Sequence, residues 1–475
     1  MKDEGSWMSR FRSHGFAALF ALLACATLAH AGPSAVETTA PPPSKHRTYT
    51  LTECLRLADR NHPSLWAARA KLAGYHAQLD EAHTAPFWQF HADANLSSIP
   101  NLTGSGPYSP EKSGSLNTSF SDGFNPWIRM GVSGGIPLYT FGKIEWIGRA
   151  AEGQVRLGQW EVEAARQQTR MDVRKAYYGA TVARDVRGAF RELLAELDKV
   201  LDSVKAKLDQ GTPGVDEADR IRLEIYHDQI VARSSDPDKS ETAAMAALRF
   251  YTGVQSDFDI PNEPLKRPEV AVAPVVSYLI AARLFRPDVN RARSGLAARR
   301  AQLEFVRANL YPNMGVGAGA GWSYAPSAVT QNGWVSNPYN GGGASFGILL
   351  GVRWTLDILP GQARVDAAAA QVEEVRALNR LALGGVAIEV ENAYGTVLEA
   401  RNREQRYDHA ERITKQWLTK VEGEVERGSK DVKDVMDPLR AYFDIRTSHL
   451  TALMDYSIAL SDLARVTGWD TAAPQ

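Results

Sequence analysis

The stretch ANLYPNMGVGAGAGWSYAPSAVTQNGWVSNPYNGGGASFGILLGV (residues 308–352) decides how the rest of the chain is read. It contains no Asp, Glu, Lys, Arg or His, although charge is dense on both sides of it. A membrane-spanning helix is excluded, because Gly and Pro recur and residues 331–343 read as a polar loop. The two arms alternate instead. Met314, Val316, Ala318, Ala320, Trp322 and Tyr324 take the even positions of the first arm, with Gly315, Gly317, Gly319, Gly321 and Ser323 between them. In the second arm Phe346, Ile348, Leu350, Val352, Trp354 and Leu356 oppose Ser345, Gly347, Gly351, Arg353, Thr355 and Asp357. Period-two alternation sends each set to one face of a β-hairpin. Strands of about ten residues with an apolar face and aromatic ends suit an outer-membrane barrel. A soluble sheet with one buried face would alternate in the same way.

A second object of the same kind precedes it. Trp88, Phe90, Ala92, Ala94 and Leu96 alternate with Gln89, His91, Asp93, Asn95 and Ser97. Ile128, Met130, Val132, Ile136 and Leu138 alternate with Arg129, Gly131, Ser133 and Gly135. The Gly/Ser/Asn/Pro-rich residues 99–126 read as a loop, so four strands in two hairpins are expected.

The chain has 475 residues, a formal net charge of −1 and 44% hydrophobic residues. That length exceeds one ordinary globular core unless the fold is elongated or repetitive. A net charge near zero gives no support for a general nucleic-acid surface. Lys2, Arg10, Arg12 and His14 precede an apolar run over residues 16–28, followed by Ala29-His30-Ala31, so residues 1–31 read as an export signal. Leu22-Leu23-Ala24-Cys25 also resembles a lipoprotein box, with Cys25 as the lipidated residue. The Ala-His-Ala site favours simple cleavage. Either way Cys54 has no disulfide partner and reads as a core residue. Residues 32–47, with three consecutive prolines, read as a tether.

Outside the hairpins the pattern is helical, and it is duplicated. Asn61-His62-Pro63-Ser64-Leu65 matches Phe285-Arg286-Pro287-Asp288-Val289, and Ala77-Gln78-Leu79 matches Ala301-Gln302-Leu303. After each hairpin Ala176-Tyr177 matches Ala393-Tyr394, and Gln210-Gly211 matches Arg427-Gly428. Thr252-Gly253 and Thr467-Gly468 close the two copies. Long helices are expected from about Lys143 to Gln210 and, returning, from Val215 to about Tyr251. The order divides the chain into a first repeat (48–260, strands about 87–98 and 127–139), a Pro-rich link (261–274) and a second repeat (275–469, strands about 313–325 and 345–357). Residues 470–475 form a tail.

Four strands cannot close a barrel, and an open edge cannot face lipid. Helices of about 68 residues reach about 100 Å at about 1.5 Å per residue, too long for any single core. They must lie side by side as coiled-coil pairs. Val365, Ala369, Val372, Val375, Leu378 and Leu381 keep the three-four spacing such pairing needs.

On these residues the chain resembles the TolC-like outer-membrane efflux proteins. The resemblance covers about residues 50–468. It is carried by Pro63 and Pro287 at paired helix starts, Pro86 and Pro312 before the strands, Pro137-Leu138-Tyr139-Thr140-Phe141-Gly142, and the segment from Gly428 to Asp437. The resemblance implies a mainly α fold with a membrane β part: a homotrimer whose twelve-stranded β-barrel is continuous with a twelve-helix α-barrel. It implies a Gram-negative outer membrane, contact with outer-membrane lipid, and extension into the periplasm. The implied role is the exit duct of a tripartite efflux or type I secretion system, with a periplasmic membrane-fusion adaptor and an inner-membrane pump of RND or ABC type. It implies no cofactor and no nucleic acid. A soluble periplasmic coiled-coil scaffold is the alternative.

Candidate functional residues follow. Asp434 and Asp437 lie three apart where a returning helix starts, so both carboxylates can face one side. The resemblance implies a periplasmic tip narrowed by an aspartate ring, attractive to cations. Acidic residues meeting a helix dipole are the plainer reading. The resemblance also implies a polar latch, with Lys430 and Glu217 in the matching places, although Val425 stands where an aromatic member would be. Trp88, Trp127, Trp322, Trp334, Tyr339 and Trp354 fit interfacial girdles or hydrophobic core. Gly315-x-Gly317-x-Gly319-x-Gly321 lacks the strand-loop-helix setting of a phosphate loop. His76 and His83 share a helix face without further metal ligands, and His91 reads as a scattered polar residue. No catalytic constellation is present, so transport without catalysis is expected.

Overall fold

The computed structural model describes residues 47–103, 117–210, 216–324, 342–427 and 429–469. The export signal, the tether up to residue 46, residues 211–215, Trp334, Tyr339 and the tail lie outside the described residues. The tether's last residue, Arg47, is already structured: β1 (Arg47–Thr48) pairs in parallel with β4 (Phe258–Asp259), a contact the local pattern did not signal.

Helix α1 (Leu51–Asn61) starts on a capping box, in which the Thr50 amide donates to Glu53 and the Glu53 amide donates to the Thr50 hydroxyl. Helices α2 (Pro63–Thr84) and α7 (Pro287–Ala308) each begin with proline at the first turn, where a missing N–H costs nothing. Helix α3 (Lys143–Asp209) has 67 residues and α8 (Ile358–Glu426) has 69, matching the expected length. The return of the first repeat is two helices rather than one: α4 (Glu217–Arg233) and α5 (Asp236–Thr252). Pro237 accounts for the break, because its ring would clash with the carbonyl four residues back, on Arg233. Ser234 ends α4 by donating both its amide and its hydroxyl to the Val231 carbonyl. In the second repeat α6 (Val275–Phe285) precedes α7, and α9 (Met436–Thr467) returns unbroken behind a short 3-10 turn (Val432–Val435).

The four long strands form one antiparallel sheet in the order β2 (Gln89–Thr103), β3 (Asn117–Tyr139), β5 (Asn313–Tyr324), β6 (Gly342–Arg353). The first hairpin is longer than expected. Residues 98–103 still pair with 117–119 and 124–126, because a cross-strand ladder satisfies the backbone whatever the side chains. The last strand stops at Arg353 rather than 357, where the Trp354 indole turns back to donate to the Leu310 carbonyl at 2.9 Å. Cross-strand rows separate the two faces. Ala92, Val132, Ala320 and Phe346 form one row, whereas His91, Ser133, Gly319 and Gly347 form its neighbour on the opposite face. The apolar face has no cover from its own chain: Phe346 is 92% and Ile348 79% exposed. Leu349 breaks the alternation by lying on the small-residue face, beside Gly317 and Gly351. Strands β2 and β6 are the sheet's two edges.

Where strand becomes helix, Phe141 and Gly142 both adopt left-handed φ, 53° and 85°. Phe141 stacks on Tyr311 with centroids 5.5 Å apart. Lys143 donates to the Tyr311 carbonyl at 2.7 Å and to Asn313 at 2.8 Å, tying this junction to its counterpart in the second repeat. Gly142→Ala is expected to cost about 1–2 kcal/mol, since a Cβ would also lie 3.3 Å from the Trp146 ring. A thermal melt of the detergent-purified protein measures it; an unchanged midpoint would show that the turn relaxes freely.

The helices pack in two tiers. Next to the sheet the lateral order is α2, α3, α7, α8; toward the tip it is α4, α3, α9, α8. Leu197, Leu223, Val421 and Phe443 share the core near the tip, and Val390, Val397 and Tyr456 the core of the second repeat. Cys54 is fully buried beside Leu248 and Val173, and burial pushes its thiol up to about 12, as suits a packing residue. Among the described residues no helix is long and apolar enough to cross a membrane.

Candidate functional site at the helical tip

Both repeats turn at the tip with the same device. Asp216 caps α4: its carboxylate accepts from the Asp219 amide at 2.8 Å, and the Asp219 carboxylate accepts in return from the Asp216 amide. Asp431 and Asp434 repeat this reciprocal pair, with the Asp434 carboxylate 3.0 Å from the Asp431 amide. Gly211 corresponds to Gly428 whereas Asp216 corresponds to Asp431, so the sequence between these matching positions is two residues longer in the first repeat. An acidic residue three after an acidic cap satisfies two otherwise orphan amides and meets the positive helix end.

The candidate gate residues therefore have different settings. Asp434 lies in the 3-10 turn and is engaged by the cap, whereas Asp437 sits in the first turn of α9. Both are exposed, and the i, i+3 spacing leaves them on one side. The candidate latch residues are not brought together within the chain. Lys430 pairs with Glu424 at 3.1 Å, holding the Glu424 carboxyl below its usual range. Glu217 pairs with Arg220 in the next turn of its own helix.

A different pair crosses between the repeats. Lys433 lies 3.2 Å from Asp219, joining the second tip to the first. The Asp219 side chain is only 12% exposed. Burial alone would raise its carboxyl, but the Lys433 ammonium and the Asp216 amide outweigh it and hold the value below normal. The hydrogen bond to Asp219 correspondingly raises Lys433. Sequence spacing did not single this pair out, since either residue alone reads as an ordinary helix-start charge. Its only signal was a position two or three residues beyond each latch candidate.

At the other end, Trp88 stacks on Phe90 at 5.8 Å and Trp322 on Tyr324 at 6.1 Å. Trp88 and Trp354 flank the helix side of the sheet; Trp127 and Trp322 lie nearer the outer loops, Trp127 facing Ser97 across the ladder. Trp88, Trp322 and Trp354 are exposed.

Long paired helices joined to an open-edged sheet with an uncovered apolar face define a membrane-channel class of protein. The family model for outer membrane efflux protein matches residues 54–253 and 279–469, one segment per repeat. The chain belongs to the outer membrane efflux protein family. Membership makes it an outer-membrane efflux channel whose helices extend into the periplasm, in place of a soluble scaffold. Solved structures with the same fold include CusC, 15% identical over 90% of this chain and 97% of that one, with a TM-score of 0.70. A membrane protein from Pseudomonas aeruginosa is 20% identical, covering 88% of this chain and 91% of its own, with a TM-score of 0.68. The MtrE outer membrane channel of Neisseria gonorrhoeae, in its open state, is 18% identical over 88% and 89%, with a TM-score of 0.66. No curated protein sequence matches.

Proposed function

We propose that three copies of this chain form one continuous exit duct, the outer-membrane member of a tripartite efflux or type I secretion assembly. The observation that carries the reading is the sheet itself: an apolar face without cover and two edge strands, β2 and β6, each paired on one side alone among the described residues. Backbone groups at those edges cannot face lipid, so copies must complete one another into a ring of twelve strands. The helices then line up as twelve staves below it. A periplasmic membrane-fusion adaptor and an RND- or ABC-type inner-membrane pump supply energy and cargo choice. Trp88, Trp127, Trp322 and Trp354 serve as headgroup-level anchors. Residues 1–31 act as the export signal.

The tip is the gate. Asp434 and Asp437 from three copies would supply six carboxylates around the narrowest ring, a selectivity device for cations. The Lys433–Asp219 bridge holds the two tips of each copy together, and Lys430 and Glu217 would restrain it through neighbouring copies. The test is a planar-bilayer recording on the detergent-extracted protein. Heat-sensitive trimers are expected, with conductance blocked by trivalent cations. Asp434→Asn with Asp437→Asn, which keeps an acceptor oxygen for the cap, is expected to abolish that block at unchanged conductance. A monomeric, non-conducting protein would overturn the duct; unchanged block in the double variant would overturn the aspartate ring.

A further inference from the structure

The order of helices toward the tip leaves two outer edges in each chain, α4 on one side and α8 on the other. Each edge carries a seam with three-four spacing pointing away from its own partner helix. On α4 the seam runs Ile221, Ile225, Asp228, Ala232; on α8 it runs Gln416, Lys420, Gly423, Arg427. Ile225 is 54% exposed, and the Asp228 side chain is 84% exposed. Among the described residues Lys420 makes no salt bridge within its own chain. A shallow groove of about 570 Å³ runs along this edge of α8, lined by Arg412, Lys415, Gln416, Thr419 and Lys420.

The heights of the two seams can be compared through pairs that cross the intervening helices. His227 on α4 meets Asp198 on α3 at 3.3 Å. Arg446 on α9 pairs with Glu192 on α3, and His449 on α9 with Glu411 on α8. Counting back along these antiparallel helices sets Arg440 level with both Asp198 and Lys420. The guanidinium of Arg440 lies 5.6 Å from the ring of Tyr226 on α4, which fixes the same level independently. Asp228 and Lys420 therefore stand at one height on opposite edges of the chain, as Ile225 and Gly423 do one step nearer the tip.

We propose that the α4 edge of one copy docks into the α8 groove of the next, with Asp228 paired to the neighbouring copy's Lys420 and Ile225 seated over its Gly423. This rests on the trimeric reading and adds its lower seam. A heterologous contact of this kind repeats around a ring until it closes. Rotation about the ring axis preserves height, so level residues on opposite edges become neighbours. An acidic residue then meets the basic groove, and a branched side chain meets a residue without one, once the flexible Arg427 guanidinium, 3.5 Å from where a Cβ would sit on Gly423, swings aside. The three-four spacing on both edges gives the alternate knob and hole positions such packing requires.

The test uses the full-length protein with Asp228→Cys and Lys420→Cys, oxidised mildly in detergent and run on a non-reducing gel. Covalent dimers and trimers are expected, about tenfold more abundant than in either single variant, because disulfides need Cα atoms within about 7 Å. A control with Asp228→Cys and Gln416→Cys, one turn higher, is expected to cross-link less; the reverse ranking overturns the register. Chains that are trimeric by mass yet do not cross-link overturn this seam while leaving the ring standing. Monomers overturn the trimeric reading itself. The exchange Asp228→Lys with Lys420→Asp is expected to restore the trimer's melting midpoint lost in either single charge reversal.

Discussion

Lys433→Glu is expected to leave the duct open, raising mean single-channel conductance several-fold over the native protein in planar bilayers. The substitution removes the only described salt bridge between the two tips of a chain and places like charges against Asp219, 3.2 Å from the present ammonium. Asp219 is enclosed and capped by the Asp216 amide, so its carboxylate has little freedom to swing away. Repulsion is therefore relieved by moving α9 relative to α4. The pH dependence follows from the sign of the shift. A carboxyl whose folded value is depressed contributes stability above its ordinary range, and that contribution is lost as pH falls through the lowered value. The native tip is thus expected to stay closed through the ordinary carboxylate range and to open only in stronger acid. Asp219→Asn should open already at neutral pH, whereas Lys433→Arg should stay closed. Conductance in Lys433→Glu equal to that of the native protein would mean that the bridge restrains nothing.

Gly468→Val is expected to be the most damaging single change away from the helical tip. Gly468 has φ of 78°, and a Cβ there would lie 2.5 Å from the Phe285 carbonyl carbon. Left-handed backbone costs a branched residue about 1–2 kcal/mol, and forcing atoms into a packed site adds about 1–3 kcal/mol more. The contact has a counterpart: Gly253, with φ of 68°, closes the first repeat against Asn61, the residue matching Phe285. There a single atom, the Asn61 Cβ, comes within 2.8 Å, against three backbone atoms within 2.7 Å at Gly468, so Gly253→Val is expected to cost less. Chemical denaturation of the two variants ranks them. Equal midpoints would show that the three-atom backbone contact at Gly468 relaxes as easily as the single contact at Gly253.

Much of the architecture was legible because it is periodic. Alternation over residues 314–324 and 346–352 is a local property, and it returned the strands and their apolar face. The duplicated order returned helices of the right length on both sides, since equal spacing of Ala176 and Ala393 from their tips requires equal helices. Local composition misled where the backbone was satisfied by other means. Residues 99–103, 117–119 and 124–126 read as loop yet pair as strand, and Val215 to Tyr251 read as one helix although Pro237 divides it.

By itself the sequence determined that this chain is a duplicated, mainly helical protein with an incomplete apolar-faced sheet, because both periods and the repeat survive in one dimension. It also marked the acidic tip where Asp434 and Asp437 lie. Only the tertiary structure decided which charges meet there. Lys430 and Glu217 turn to partners a few residues away in their own repeat, while Lys433 reaches Asp219 across 214 positions of chain. The physical reason is that a contact between helices depends on their relative height and rotation. Those are set by the buried faces of several helices at once, and no stretch of residues around either partner encodes them.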